Sequence, residues 1–270
     1  METWRLIISE PLTGTTNMAI DEAIMHAVSS GQVPPTIRFY RWSPPAITLG
    51  YFQSLAKEVD TEACSKAGID VVRRLTGGRA VLHHRELTYS LVAPENQSQV
   101  AGTILQSYLA ISRGLVAGLA QLGVTAEITT GKKERKISTA ACFDTPSHYE
   151  LVVGGKKLVG SAQTRRQGCL LQHGSILTEC DAELLFSVLN FSNDKVRERA
   201  KGYFSAHATS LLEILGYAPE FGELCEAFGQ GFMEALGIRL EEGGLTAGEE
   251  SEVLELCVGK YGTRDWNGRR

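Results

Sequence analysis

Cys142 stands fifteen residues ahead of Lys157 in the stretch CFDTPSHYELVVGGKKLVGSAQTRR, and the two side-chain types suit one another. A thiolate is a strong nucleophile, and a nearby ammonium lowers the pKa that governs how much thiolate is present. Phe143-Asp144-Thr145-Pro146 is too turn-prone for a core strand, so it places the thiol in an accessible loop. After Gly154-Gly155, strand alternation puts Lys157, Val159, Ser161 and Gln163 on one mostly polar face. Gly160 leaves room there for a ligand or another backbone. A lone lysine on such a face is ordinarily solvated, because lysine is seldom buried. Only if both side chains meet in one cleft does the pair become nucleophile and activator.

The other five cysteines, at 64, 169, 180, 225 and 257, are expected to behave as small buried hydrophobes. No C-x-x-C occurs and the six are widely scattered, so neither a zinc knuckle nor a disulfide framework is indicated and no metal site is expected. Reduced thiols fit a cytoplasmic protein.

The block RRLTGGRAVLHH, 73 to 84, lacks P-loop spacing and G-x-G-x-x-G, so it gives no support to a conventional nucleotide site. It reads either as a charged hairpin turn or as a backbone wrapped around a small carboxylic acid derivative. In the second reading Gly77 and Gly78 allow close approach and His83 supplies a polar contact. Lys132, Lys133, Arg135 and Lys136 form either a solvated loop or a rim for an acidic carrier protein.

The elements that must position these residues follow from periodicity. Strands are expected at 4 to 9, 37 to 42 and 46 to 51, the last two joined across Pro44-Pro45, then in a strand-rich block from 69 to 93 and again from 149 to 178. A helix over 15 to 31 carries Ile20, Ala23, Ile24, Ala27 and Val28 on one stripe, with Asp21 and Glu22 off it. Further helices are expected at 59 to 67, 103 to 122, 181 to 190, 220 to 236 and 247 to 259. Gly114 and Gly118 would let the second of these approach a sheet closely. Strands and helices mix without strict alternation, which predicts an α+β fold with mixed or antiparallel sheets flanked by helices.

At 270 residues, 43% hydrophobic and 21% charged, with a net charge of −4, the chain can bury a sizeable core and gives no electrostatic reason to expect a nucleic acid or membrane partner. METWRLIISEPL lacks the pattern of an export signal, and the apolar segment from Ile104 to Leu122 is interrupted by Gln106, Arg113 and Gln121.

In order along the chain, RRLTGGRAVLHH, ELTYSL (86 to 91), GGKKLVGSAQTRR (154 to 166) and QHGSI (172 to 176) resemble the lipoate-protein ligase, octanoyltransferase and biotin-protein ligase superfamily. The likeness spans roughly residues 4 to 240 and is strongest to the cysteine-dependent octanoyl-[glycine cleavage H protein] octanoyltransferases. It implies a catalytic domain over 1 to 240, with 241 to 270 a helical tail packed on or continuing it. It implies that Cys142 carries the acyl group and Lys157 stabilises charge. Arg74, Thr76, Gly77, Gly78, His83, Gly160, Ser161 and His173 would then form the substrate site, with Gln172, Gly174 and Ser175 weaker candidates. The implied partners are octanoyl-acyl carrier protein as donor and a lipoyl-carrier protein, glycine cleavage H protein or a lipoyl domain, as acceptor; no cofactor is needed. ATP-dependent ligases of the superfamily tend to carry a third glycine where this chain has Arg79. Such a ligase, a carrier-to-carrier amidotransferase and a non-catalytic lipoyl or biotin sensor are the alternatives.

Overall fold

A computed structural model describes residues 1–129 and 150–269. Its strands are β1 (Glu2–Ile8), β2 (Thr36–Tyr40), β3 (Ala46–Leu49), β4 (Asp70–Arg73), β5 (Val81–His83), β6 (Glu86–Pro94), β7 (Glu127–Thr129), β8 (Glu150–Val153), β9 (Lys156–Arg166), β10 (Cys169–Leu177) and β11 (Ile238–Glu242). Among the described residues, eight of them form one sheet in the order β11-β1-β2-β6-β10-β9-β8-β7, and β4-β3-β5 form a second. β1 runs parallel to β11 and β2, while the pairs from β2 through β6, β10, β9 and β8 to β7 are antiparallel. The fold is α+β with mixed sheets, as the sequence predicts.

The large sheet is covered on both faces. One face packs against α4 (Ile104–Gln121) and α8 (Phe221–Leu236), where Ile111, Leu115, Leu119, Phe228 and Phe232 meet Phe39, Leu87, Tyr89 and Leu91. The other receives α1 (Gly14–Ser29), whose Met18, Ala19, Ala23 and Ile24 pack with Ile7, Val92 and Leu171. Thr13 caps α1 by accepting from the Thr16 amide, and Thr103 with Gln106 forms a capping box on α4.

The α4 glycines serve a helix contact, not the sheet contact expected of them. A Cβ on Gly114 would stand 2.3 Å from the Phe232 ring, and one on Gly231 of α8 would stand 2.2 Å from the Gly118 nitrogen. The two helix backbones therefore touch where glycine faces glycine, closer than side chains ordinarily allow.

A third cluster joins the small sheet to α3 (Thr61–Lys66), α5 (Ala182–Ser187) and α6 (Asp194–His207). The helix expected at 59 to 67 is instead α2 (Leu55–Glu58) followed by α3, separated where Val59 bridges to Leu189. α6 has no counterpart in the sequence reading: DKVRERAKGYFSAH buries only Ala200 and Phe204, so its apolar stripe is too thin to show a period. α7 (Leu211–Leu215) follows.

The C-terminal residues lie against this body. β11 extends the large sheet beyond β1. α9 (Ala247–Leu256) is tied by the buried pair Arg5–Glu249 at 2.5 Å, a wider helical turn spans Cys257–Tyr261, and α10 (Arg264–Asn267) ends the described chain. Trp266 Nε1 donates to the Arg73 carbonyl at 2.9 Å, and the Arg73 guanidinium donates to the carbonyls of Trp266, Asn267, Gly50 and Gln53.

Candidate active site

Alternation along β6 divides a buried strand into two chemistries. Leu87, Tyr89 and Leu91 enter the core under α4 and α8. Thr88 and Ser90 point the opposite way, towards α1, and so do their register partners on β10, Ser175 and His173. Between that polar face, α1, the small sheet and β9 lies a cavity of about 240 Å³ whose wall includes Met18, Trp42, Arg79, Val81, Gly160 and Ala162.

Of the substrate-site residues named from sequence, Arg74, Gly78, His83, Gly160, Ser161 and His173 line this cavity together with Lys157. Thr76 and Gly77 stand behind the wall and shape it. Arg74 is buried and donates to Thr76 Oγ1 (3.1 Å), to the Thr48 carbonyl (3.0 Å) and to the carbonyls of Gly77 and Arg79 (both 2.7 Å). One guanidinium thereby holds the whole 76–79 turn. Gly78 has φ +94°, and a Cβ on Gly50 would stand 1.9 Å from the Gly78 carbonyl oxygen, so the turn seats directly on a bare backbone.

Both cavity histidines have both ring nitrogens taken by the protein. His173 Nε2 meets Thr76 Oγ1 at 2.7 Å, and its Nδ1 meets Asp21 Oδ2 at 3.1 Å. Burial pushes this imidazole below its ordinary pKa, and nearby Arg74 and His83 push the same way, against the opposing Asp21. His83 Nε2 meets Thr48 Oγ1 at 2.8 Å and its Nδ1 meets Glu86 Oε1 at 2.6 Å, while its ring stacks on Trp42 at 4.0 Å. Glu86 Oε1 also accepts from Ser175 at 2.9 Å, and its buried Oε2 has no partner among the described residues. The polar contacts of His83 thus go to Thr48 and Glu86, and those of His173 to Thr76 and Asp21.

Lys157 is 5% exposed, so the solvated-strand reading of it does not hold. A register irregularity in the β8–β9 pair lies beside it, its Nζ donates to Glu150 Oε1 at 2.8 Å, and its carbonyl accepts from the Thr209 amide at 3.0 Å. The chain after α6 therefore covers this strand. Ser161 and Gln163 turn to the α4 side, bonding Tyr89 and Ser107 respectively. Gln172 joins that set through Tyr89 and Gln163 and does not line the cavity; Gly174 and Ser175 do. Cys142 and the basic run Lys132, Lys133, Arg135 and Lys136 lie outside the described residues.

The remaining cysteines offer no rival nucleophile. Burial raises the pKa of Cys64 and Cys180 to about 11 and of Cys225 to about 12, and also raises Cys169 and Cys257. None of the five lines the cavity.

Asp21 is the residue that sequence reading passed over. It is 1% exposed and accepts from Arg38 (3.1 Å), Tyr40 (3.0 Å) and Ser90 (2.9 Å) as well as facing His173. Burial alone would raise its pKa, but the His173 hydrogen bond and the Arg38 charge outweigh it and leave the carboxyl below its usual range. The signal was available: AIDEAIM embeds two acids in an otherwise apolar helix. Glu22, the second, is also buried and pairs with Lys260 at 2.6 Å.

Fold and site together define an α+β domain with a small, mostly apolar cavity beside a buried ammonium. The chain belongs to the lipoyl protein ligase A/B catalytic domain family, whose model matches residues 13–233, so the resemblance drawn from the four motifs is borne out. It is 51% identical to an octanoyltransferase LipM of Kyrpidia tusciae, over 100% of both chains, and 48% identical to one of Moorella thermoacetica, over 100% of this chain and 99% of that one. Its fold is similar to a bipartite lipoate protein ligase from Thermoplasma acidophilum, with TM-score 0.84 and 28% identity over 99% of this chain and 97% of that one. It is also similar to a lipoate-protein ligase A bound with ATP, with TM-score 0.80 and 29% identity over 99% of each. The chain is an acyltransferase. Among the described residues no helix is long and apolar enough to cross a membrane.

Proposed function

We propose that this protein is an octanoyltransferase of lipoate biosynthesis, moving octanoyl from octanoyl-acyl carrier protein to a lysine of a lipoyl-carrier protein through a thioester on Cys142. The observation that carries this reading is the pairing, in one small cavity, of walls whose histidine nitrogens are all engaged with a buried Lys157. Such walls suit an alkyl chain, and the ammonium suits the reacting end of an acyl group. The basic run before Cys142 suits an acidic carrier at the rim.

The chemistry balances without ATP. The Cys142 thiolate attacks the donor thioester carbonyl, its new C–S bond replaces the carrier's C–S bond, and the carrier leaves as a thiol after taking a proton. The acceptor lysine, as free amine, then attacks the acyl-enzyme; the C–N bond forms, the bond to Cys142 breaks, and the amine's proton goes to the departing thiolate. Lys157 stabilises the thiolate and the oxyanion of each tetrahedral intermediate and assists proton movement. Arg74, Thr76, Gly77, Gly78, His83, Gly160, Ser161 and His173 form or brace the acyl pocket. We assign the catalysis to residues 1–240, with 241–270 as a tail that braces Arg73.

Intact-protein mass spectrometry after mixing with octanoyl-acyl carrier protein, without ATP, tests this. The expected result is an octanoyl adduct released by hydroxylamine and missing as a thioester in Cys142→Ser. Equal modification of an acceptor domain by both proteins, only with ATP and free octanoate or lipoate, would make the protein a ligase instead.

A further inference from the structure

The hydrogen bonds joining Arg74 to Asp21 take their direction from the carboxylate end. A guanidinium can only donate, so Arg74 Nε donates to Thr76 Oγ1 (3.1 Å). Thr76 keeps a second lone pair as well as its own proton, so its 2.7 Å contact with His173 Nε2 is not directed from the Arg74 end. Asp21 is a carboxylate and only accepts, so the proton of a neutral His173 lies on Nδ1 and is donated to Oδ2 (3.1 Å), and Thr76 then donates its hydroxyl proton to Nε2. Asp21 is anchored independently of the histidine, because Arg38 and Ser90 donate to its Oδ1 and Tyr40 to its Oδ2. Arg38 is itself fully buried and bonded to Asn17 Oδ1 at 2.6 Å.

We propose that Asp21 is a positioning residue that holds His173 as its neutral Nδ1–H tautomer, and through Thr76 fixes the 76–79 turn in the wall of the acyl cavity. Thr76 is the hinge of that coupling. Its side chain links the histidine to Arg74, and its carbonyl accepts from the Tyr51 amide at 2.8 Å. Gly78 and Arg79, two and three residues on, reach the cavity directly.

Asp21→Asn discriminates this from simple burial of a charge pair. Arg38 cannot accept a hydrogen bond, so the new amide nitrogen is driven to the Oδ2 position, facing His173 and Tyr40. His173 can meet it only by moving its proton to Nε2. Thr76 Oγ1 then faces two donors, Arg74 and His173, and its own proton loses the acceptor it had. Two-bond ¹H–¹⁵N spectra of the intact protein, with His173 assigned by His173→Gln, read the tautomer. The expected result is Nδ1–H in the parent and Nε2–H in Asp21→Asn, with acyl loading slowed about 10- to 100-fold.

A parent ring protonated on Nε2, or a folded Asp21→Asn protein that keeps Nδ1–H, would overturn the proposal. Should Asp21→Asn not fold, Thr76→Val serves: the ring should stay Nδ1–H while its Nε2 resonance moves towards that of an unbonded nitrogen, and an unmoved resonance would overturn the proposal equally. The kinetic arm rests on the octanoyltransferase reading. The spectra do not, so failure of that reading is distinguishable from failure of this one.

Discussion

The two ends of the cavity are built on opposite plans. Around His173 and His83 each ring nitrogen already has a protein partner, and Arg74 spends its donors on the carbonyls of the 76–79 turn. At Lys157 a buried ammonium sits on an irregular stretch of strand beside Glu150. Polar groups that satisfy one another make a stiff surface that an alkyl chain can occupy without stranding a donor. A buried ammonium can instead stabilise negative charge that develops beside it. On the proposed function, the difference divides the cavity into a part suited to holding an alkyl chain and a part suited to the reacting end.

Replacing Lys157 should give the largest effect and tests the reacting end alone. Lys157→Met is expected to slow acyl loading by about 10²- to 10³-fold, with little change in donor affinity. A loss confined to affinity would make Lys157 another piece of wall. Gly50→Ala tests the holding end. Its Cβ would collide with the Gly78 carbonyl, so the turn must shift, at a cost of about 1–3 kcal/mol in urea unfolding and with weakened donor binding. Arg74→Lys should lose a similar or smaller amount, about 1–3 kcal/mol, because one ammonium cannot serve Thr76, Thr48, Gly77 and Arg79 together.

Acid should weaken the holding end. The folded-state pKa of His173 is lowered, so below the unfolded value of about 6.5 the unfolded chain binds the proton first and stability falls with pH. Asp21, also lowered from 3.8, contributes stability above that value which is lost on further acidification. Unfolding midpoints measured from pH 7 downward should show the first loss beginning near 6.5, and His173→Gln should remove it. As a reference outside both regions, Glu62→Gln, which breaks the exposed pair with Lys66, should change stability by less than about 0.5 kcal/mol.

Much of this was legible because local chemistry leaves local marks. The strand blocks, the α1 and α4 stripes and the 76–78 turn all follow from period or turn residues, whereas the register irregularity beside Lys157 parts it from the face that alternation gave it with Ser161 and Gln163. What escaped notice depended on partners distant in sequence. Asp21 meets His173 from 152 residues away. Lys157 is buried by the segment that follows α6, a helix whose charged sequence hides its single apolar edge. Gly114 and Gly118 announced close packing correctly, but only Phe228, Gly231 and Phe232 show against what.

By itself the sequence determined the mixed α+β character, the order of the motifs and the residue types from which a thiol-and-lysine acyl site could be made, since composition, period and turn chemistry act within a few residues. The tertiary structure decided which of those residues share a cavity and which way their protons point. A histidine's tautomer and a lysine's burial are set by groups that only folding brings within 3 Å or so of them.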